Sequence, residues 1–179
     1  LEEQVPALFT GKSGGDEVRV WVVACATGEE AYSLAMLLSE HARLIDDPPA
    51  IQVFATDLDE DAIRAAREGV YPPAIAADVS EERLRRFFMR EPRGYRIRSE
   101  IRDAVVFANH DLLKDAPFSR LDLISCRNLF IYLNREAQQH ALEIAHFAVR
   151  PHGRLFLGVS ETVDVATHLF RPVDKKHRI

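Results

Sequence analysis

Val18-Arg19-Val20-Trp21-Val22-Val23-Ala24-Cys25-Ala26-Thr27-Gly28-Glu29-Glu30 is the stretch whose reading decides the fold. Six of its first seven side chains are β-branched, aromatic or small and apolar, and they read as a buried strand. Small residues and one glycine then break the run, and a helical pattern begins at Ala31. This is the layout of a parallel strand, a tight turn and a helix start. In open α/β sheets, ligands bind at such turns, outside the carboxyl ends of the strands. Phosphate-binding turns place several glycines or a lysine there. Here Glu29 and Glu30 follow the single Gly28. Two carboxylates repel a phosphate and attract a cation, so the expected ligand presents an ammonium or sulfonium group rather than a diphosphate.

The pattern spreads outward in both directions. Glu2 to Phe9 reads as a short helix, and Gly28 to Arg43 as a helix with Tyr32, Leu34, Ala35, Leu37 and Leu38 on its apolar face. Ile51 to Ala55 is a second buried strand ending at Thr56-Asp57. Asp59 is placed to cap the helix that carries Ile63, Ala66 and Arg67, and Gly69 to stop it. Tyr71-Pro72-Pro73 then interrupts the alternation. Asp78 with Glu81 has the spacing of a capping box opening a helix through Met89. Tyr95–Arg98 and Ile101–Phe107 read as two short strands of an antiparallel insertion, so residues 72–107 are expected to form a small inserted α/β subdomain. Leu121–Ser125 is a further buried strand. Asn134 is placed to cap a helix through Val149, Pro151-His152-Gly153 to turn the chain into a strand over Arg154–Val159, and Leu169–Ile179 to pair as a final strand. Strands alternating with helices imply an α/β fold, a mostly parallel, Rossmann-like sheet with helices on both faces.

Composition narrows the classes. With 179 residues, 47% hydrophobic and 28% charged, the chain suffices for one well-buried domain. A net charge of -5 argues against a nucleic-acid partner. No apolar run reaches the length of a membrane span and no signal peptide is visible, so a cytoplasmic protein without membrane insertion is expected. Cys25 and Cys126 fit a reducing compartment as free thiols, and the seven histidines show no metal spacing, so no metal is expected. The chain begins at Leu1 rather than methionine, which is the expectation for a piece of a longer protein.

Three further constellations lie at strand ends. Asp57 follows the second strand, where a carboxylate accepts two ribose hydroxyls. Its competing reading is a helix cap, for which Asp59 is better placed. Asp111, in His110-Asp111-Leu112-Leu113, either accepts from an exocyclic amine or is a solvated loop aspartate; spacing alone does not separate the two. Arg127 and Asn128 stand at the exit of the strand holding Asp122, a position that lines a crevice. Tyr132, on composition alone, reads as core.

Taken together, Ala24-Cys25-Ala26-Thr27-Gly28-Glu29-Glu30-Ala31-Tyr32-Ser33, Ala55-Thr56-Asp57, Cys126-Arg127-Asn128 with Ile131-Tyr132, Pro151-His152-Gly153 and Gly158-Val159-Ser160-Glu161 resemble the chemoreceptor glutamate methyltransferase family, CheR, in order and over nearly the whole chain. The resemblance implies the class I methyltransferase fold over residues 1–179, S-adenosylmethionine as cofactor with S-adenosylhomocysteine as product, and transfer of the methyl group to glutamate side chains on chemoreceptor cytoplasmic helices or a related signalling protein. By position it implies cofactor contacts at Ala24, Glu30, Asp57, Asp111, Leu112, Arg127 and Asn128. It also implies a catalytic role for Tyr132 beside the transferred methyl group, against the composition reading, and one for Arg127. The family's N-terminal helical domain, with its Thr-x-Phe-Phe-Arg motif, has no counterpart in these residues. The segment between Arg90 and Tyr95 is shorter than in members that grip a receptor C-terminal tether peptide, which implies independence from that peptide. The tail Pro172–Ile179 is similar to members fused to a methylesterase and sensor domains. Two rivals stand beside this expectation. One is a non-catalytic module of a hybrid signalling protein that senses S-adenosylmethionine or S-adenosylhomocysteine. The other is a nucleotide-dependent oxidoreductase, disfavoured by the lack of a G-x-G-x-x-G turn.

Overall fold

The side chains of the first strand alternate between two cores, and that alternation explains the architecture. The computed structural model describes residues 2–174 and 176–179. A 3-10 turn, Glu2–Gln4, leads into α1, Val5–Phe9. β1, Glu17–Val23, follows, with every residue from Val20 to Val23 buried. Successive strand side chains point to opposite faces. Val18, Val20 and Val22 accordingly enter one apolar cluster, and Trp21 and Val23 enter another. A strand buried on both faces must be covered on both, which calls for helices above and below.

α2, Glu29–Ala42, packs Ala31, Tyr32, Leu34, Ala35 and Leu38 into the first cluster. β2, Ala50–Asp57, runs parallel to β1 in register Val20↔Val53. Asp59 caps α3, Glu60–Glu68: its carboxylate accepts from the N–H groups of Asp61 and Ala62, and Gly69 ends the helix at φ 59. β3, Val70–Tyr71, a 3-10 turn at Pro73–Ala77, α4, Glu81–Phe87, β4, Phe88–Glu91, and β5, Gly94–Ile97, build the insertion, a three-stranded antiparallel sheet in the order β3-β5-β4. Tyr71, Leu84, Phe87, Phe88 and Ile97 join the cluster that holds Val20, so the insertion packs onto the main core.

α5, Ser99–Arg102, leads to β6, Val105–Asn109. β7, Leu121–Cys126, is buried at all of its positions. A 3-10 turn, Phe130–Tyr132, and α6, Arg135–Ala148, which Asn134 caps, precede β8, Val149–Leu157. The main sheet has the order β6-β2-β1-β7-β8, and each neighbouring pair is parallel. α6 covers the face opposite α2, burying Ala141, Leu142, Ala145 and Ala148 with Trp21. At the amino end of β7 the buried Asp122 is satisfied by Lys12 Nζ at 3.1 Å, Arg150 Nη1 at 3.1 Å and the N–H of Arg19 at 2.8 Å. Pairing and hydrogen bonding of this completeness offset the desolvation of the three charges.

Five local expectations are corrected. Ser80, not Asp78, caps α4 by accepting from the N–H of Arg83, because the helix starts at Glu81 and a cap sits one residue before it. The helix ends at Phe87, and Phe88–Glu91 is a strand. The antiparallel partners of β5 are β3 and β4; Val105–Asn109 instead joins the main sheet beside β2, where Val105 and Phe107 reach the core. Pro151-His152-Gly153 lies within β8, and the strand accommodates it with a register shift between Leu121 and Leu123 and with φ 68 at His152. Among its described residues the tail forms turns rather than a strand, touching the sheet through the N–H of Leu157 to the carbonyl of Arg178 at 3.0 Å. Lys175, within that expected strand, lies outside the described residues. Both cysteines are free and buried, at the exits of neighbouring strands.

Candidate functional site

The exits of β1, β2, β6 and β7 lie side by side along one edge of the sheet, and main-chain bonds tie them together. After Val23 the chain turns sharply: Ala24 and Ala26 have φ 54 and 46, and Gly28 has φ 90. Left-handed alanines are uncommon and strained, and such residues cluster at functional turns. The turn is held by the N–H of Cys25 to the carbonyl of Thr56 and of Gly28 to that of Cys25, both at 2.9 Å. A Cβ on Gly28 would lie 3.0 Å from Ala66 Cβ and from Phe107 Cζ, so only glycine lets the turn close against α3 and β6. The insertion braces it from outside, since the Tyr71 hydroxyl donates to the carbonyl of Thr27 at 2.9 Å.

Asp57 joins the first two exits. Its Oδ2 accepts from the N–H of Ala26 at 2.8 Å and its Oδ1 from that of Asp59 at 3.0 Å. Each carboxylate oxygen retains a second lone pair for a ligand hydroxyl. The third exit is fastened by Asn109, whose Nδ2 donates to the carbonyl of Leu58 at 2.7 Å. This brings Asp111 close to the exit of β2. Asp111 Oδ2 pairs with Lys114 at 2.8 Å and its Oδ1 accepts from the N–H of Leu113, and these contacts, Lys114 foremost, hold its carboxyl below the ordinary carboxylate range. Leu112 is half-buried against the Trp21 cluster.

Glu30 crosses from the first turn to the fourth exit. Its carboxylate accepts from the Ser125 hydroxyl and from Arg127 Nη1 at 3.1 Å. The Arg127 guanidinium lies over the Phe156 ring at 5.2 Å, and its Nε is shielded from solvent without a hydrogen-bond partner. Asn128 adopts φ 59. Tyr132 is 80% exposed, which corrects the composition reading of it as core; its neighbour Phe130 supplies the buried contact of that 3-10 turn. Burial, with the charge of Asp57 adding to it, pushes the Cys25 thiol up to about 12, so it is a neutral apolar wall at physiological pH.

The expected site residues therefore gather at these exits, with Tyr132 exposed on the 3-10 turn that follows β7. Three further participants lie outside the expected set: Ser125, Asn109 and Tyr71. Ser125 carries a signal, a hydroxyl one residue before the end of a strand otherwise apolar there. Tyr71 carries none, because its partner is a main-chain carbonyl 44 residues away. The edge formed by these exits is rich in carboxylates, which suits the positive charge of a sulfonium and an ammonium, and Asp57 offers the acceptors a ribose requires. Among the described residues no group of three or more His, Cys, Asp or Glu is arranged to hold a metal ion, and no helix is long and apolar enough to cross a membrane.

Comparison with known proteins bears on the family and the fold. The family described as CheR methyltransferase, SAM binding domain, matches residues 1–179. The chain is 43% identical over 178 residues to an uncharacterised 104.1 kDa protein of Rhodobacter capsulatus, covering 99% of this chain and 19% of that one. It is 34% identical over 169 residues to chemotaxis protein methyltransferase 1 of Pseudomonas aeruginosa, covering 92% of this chain and 62% of that one. Among solved structures, a TehB-like SAM-dependent methyltransferase from Corynebacterium glutamicum superposes with TM-score 0.54 at 16% identity, over 94% of this chain and 71% of that one. PKMT2 from Rickettsia typhi in complex with AdoHcy gives TM-score 0.53 at 15% identity, over 87% of this chain and 24% of that one. Both likenesses show the fold.

Proposed function

We propose, for this chain, which belongs to the CheR methyltransferase family through its match over residues 1–179, that the crevice at the strand exits binds S-adenosylmethionine and serves transfer of its methyl group to glutamate carboxylates on chemoreceptor cytoplasmic helices. The observation that carries the reading is the pair of carboxylate bridges across one crevice: Asp57 to the turn at Ala26, and Glu30 to Ser125 and Arg127. Asp57 would hold the ribose hydroxyls, Asp111 and Leu112 would border the adenine, and Ala24, Glu30, Arg127 and Asn128 would line the methionine end. When bound, the cofactor supplies an activated methyl on a sulfonium, a leaving group that needs no metal. The target glutamate is ionised at neutral pH, so no residue of the chain has to remove a proton from it. The protein's work is alignment and exclusion of water, and alignment alone supplies roughly 7–11 kcal/mol in favourable cases. Arg127 spends one donor on Glu30 and keeps others for an incoming carboxylate, while Tyr132 stands exposed at the rim to orient it.

The reading extends to one methyltransferase domain over residues 1–179, with the small sheet as its insertion, acting in the cytoplasm. The two-residue Pro92-Arg93 connection between β4 and β5 supports a member independent of a receptor tether peptide. The chain spans 19% of one relative and 62% of another, and the 104.1 kDa size of the former suits a hybrid signalling protein. The test is calorimetry with S-adenosylmethionine, S-adenosylhomocysteine and NAD side by side, followed by single-turnover radiolabel transfer to a receptor cytoplasmic fragment. Micromolar binding of the first two with transfer to glutamate is expected. Binding without transfer would replace the enzyme with a sensory module, and preference for NAD would overturn the cofactor assignment.

A further inference from the structure

Glu161 lies outside the crevice, on the turn after β8, and its side chain is 3% exposed. Its partners are main-chain N–H groups. Oε2 accepts from Asn128 at 3.0 Å and Gly158 at 2.6 Å, and Oε1 accepts from Phe130 at 2.8 Å. One carboxylate thus gathers amides from the exits of two neighbouring strands. The approach is tight enough to dictate a neighbour's identity, because a Cβ on Gly158 would lie 2.5 Å from Glu161 Oε2 and 3.1 Å from the nitrogen of Asn128.

The gathered segment is the one that carries Arg127 and Tyr132. Two of its amides go to Glu161, and from α6 Gln138 Nε2 donates to the carbonyl of Phe130 at 2.9 Å and to that of Leu133, just beyond the segment, at 3.0 Å. Its left-handed residue, Asn128, is one that Glu161 grips. Buried main-chain groups must find partners, and here the partners come from side chains rather than from a regular ladder. The chemistry required at position 161 is specific. Three converging N–H donors need an acceptor with no hydrogen of its own, and only a carboxylate offers acceptors on both sides. An amide of the same shape would turn an NH2 toward at least one of them.

We propose that Glu161 is a positioning residue: its buried carboxylate fixes the conformation of the Arg127–Tyr132 segment, and thereby the reach of Arg127 to Glu30 and the stance of Tyr132 at the rim. Its value for methyl transfer rests on the function proposed above; its hold on the segment does not. The Arg127 Nε–H, shielded from solvent, is a reporter that a merely stabilising residue would leave alone. Its exchange with water is measured by NMR in the cofactor-free protein, assigned with Arg127→Lys, for the parent and for Glu161→Gln. At least tenfold faster exchange at Arg127, with the resonances of α3 unmoved, is expected. On the ligand side, Glu161→Gln is combined with Arg127→Ala and Asn128→Ala, the two segment residues placed at the cofactor, and titrated with S-adenosylhomocysteine. A triple variant within twofold of Arg127→Ala/Asn128→Ala is expected, since Glu161 acts through that segment. In steady-state transfer, kcat should fall at least tenfold while KM for the receptor fragment stays within threefold. Unchanged exchange at Arg127, or additive effects on affinity, would overturn the proposal. A parent protein that neither binds the cofactor nor transfers methyl would defeat the functional reading, and the exchange measurement would still decide the role of Glu161. Glu161→Asp, which keeps the charge but shortens the reach, provides a second variant with the same expectations. Loss of the cooperative thermal transition in both would make Glu161 a folding residue and refute positioning.

Discussion

Replacing Asp57 by alanine separates ligand binding from stability, because each of its oxygens accepts one main-chain N–H and, in the function proposed above, one ligand hydroxyl. Toward the protein, Oδ2 and Oδ1 accept from Ala26 and Asp59, residues whose surroundings are exposed. Water can replace those two bonds, so the fold should lose about 1 kcal/mol at most, or a thermal midpoint shift of about 2–4 °C for a domain of this size. Toward the ligand, two ribose hydroxyls would lose a charged acceptor at about 1.5–3 kcal/mol each. The sum, about 3–6 kcal/mol, corresponds to a weakening of Kd on the order of 10²–10⁴-fold. Asp57→Asn keeps one acceptor oxygen and should fall between the parent and the alanine variant. The assay is calorimetric titration with S-adenosylhomocysteine, paired with thermal denaturation of each variant. A Kd within threefold of the parent, in a folded Asp57→Ala protein, would remove the ribose role. A midpoint fall well beyond 4 °C would show that the two main-chain bonds, not the ligand, are the reason for the carboxylate.

Three more expectations come from neighbouring residues. Gly28→Ala must hold φ 90 with its Cβ 3.0 Å from Ala66 and Phe107, and denaturant unfolding should show a loss of about 1–3 kcal/mol; an unchanged midpoint contradicts the close approach. Glu30→Gln keeps hydrogen-bonding capacity but removes the charge facing Arg127, a partly exposed pair. Stability should change by less than about 1 kcal/mol, while cofactor affinity drops on the order of tenfold or more through the lost ionic partner; equal affinities in calorimetry would displace Glu30 from the site. Finally, the Cys25 thiol is raised from 9.0 to about 12 by burial, and Cys126 is raised in the same direction. The folded state holds these protons more tightly than the unfolded state, so their contribution is complete below pH 9 and is lost as pH rises toward 12. The slope in that window is about 1.4 kcal/mol per pH unit for each thiol. Urea unfolding between pH 8 and 11 should show it, and Cys25→Ala should flatten it; an identical slope in that variant would refute the assignment to Cys25.

The main strands and their order of use were legible because periodicity and burial agree there. Val18 to Val23 alternates between two cores, and Asp59, Gly69 and Asn134 sit where caps and stops are needed. The insertion was harder to read. Val70–Tyr71 is too short to carry a period, and Phe88–Glu91 follows α4 without a break, so its strand character is decided by pairing with Gly94–Ile97. Pro151-His152-Gly153 has the composition of a turn, yet the sheet absorbs it at a register shift. In the site, side chains at strand exits could be listed from sequence, since position alone nominates them. Glu161 and Tyr71 could not be assigned roles in that way. Their partners are main-chain groups, which every residue possesses and no sequence pattern marks.

The strand order also has a consequence for how the crevice comes into being. β1 pairs with β2 across about 30 residues and with β7 across about 100, and the longer closure costs about 1 kcal/mol more in chain entropy. Contacts local in sequence form faster than distant ones, so β1, α2 and β2 can associate while β7 is still unassembled. At that moment the Asp57 half of the crevice has its walls, and the half built from Ser125, Arg127 and Tyr132 does not exist. A ligand that needs both halves is therefore blind to every species that lacks β7. Its capture marks the arrival of the central strand's second neighbour, and a nascent chain released before Cys126 would carry the glycine turn with nothing to bind.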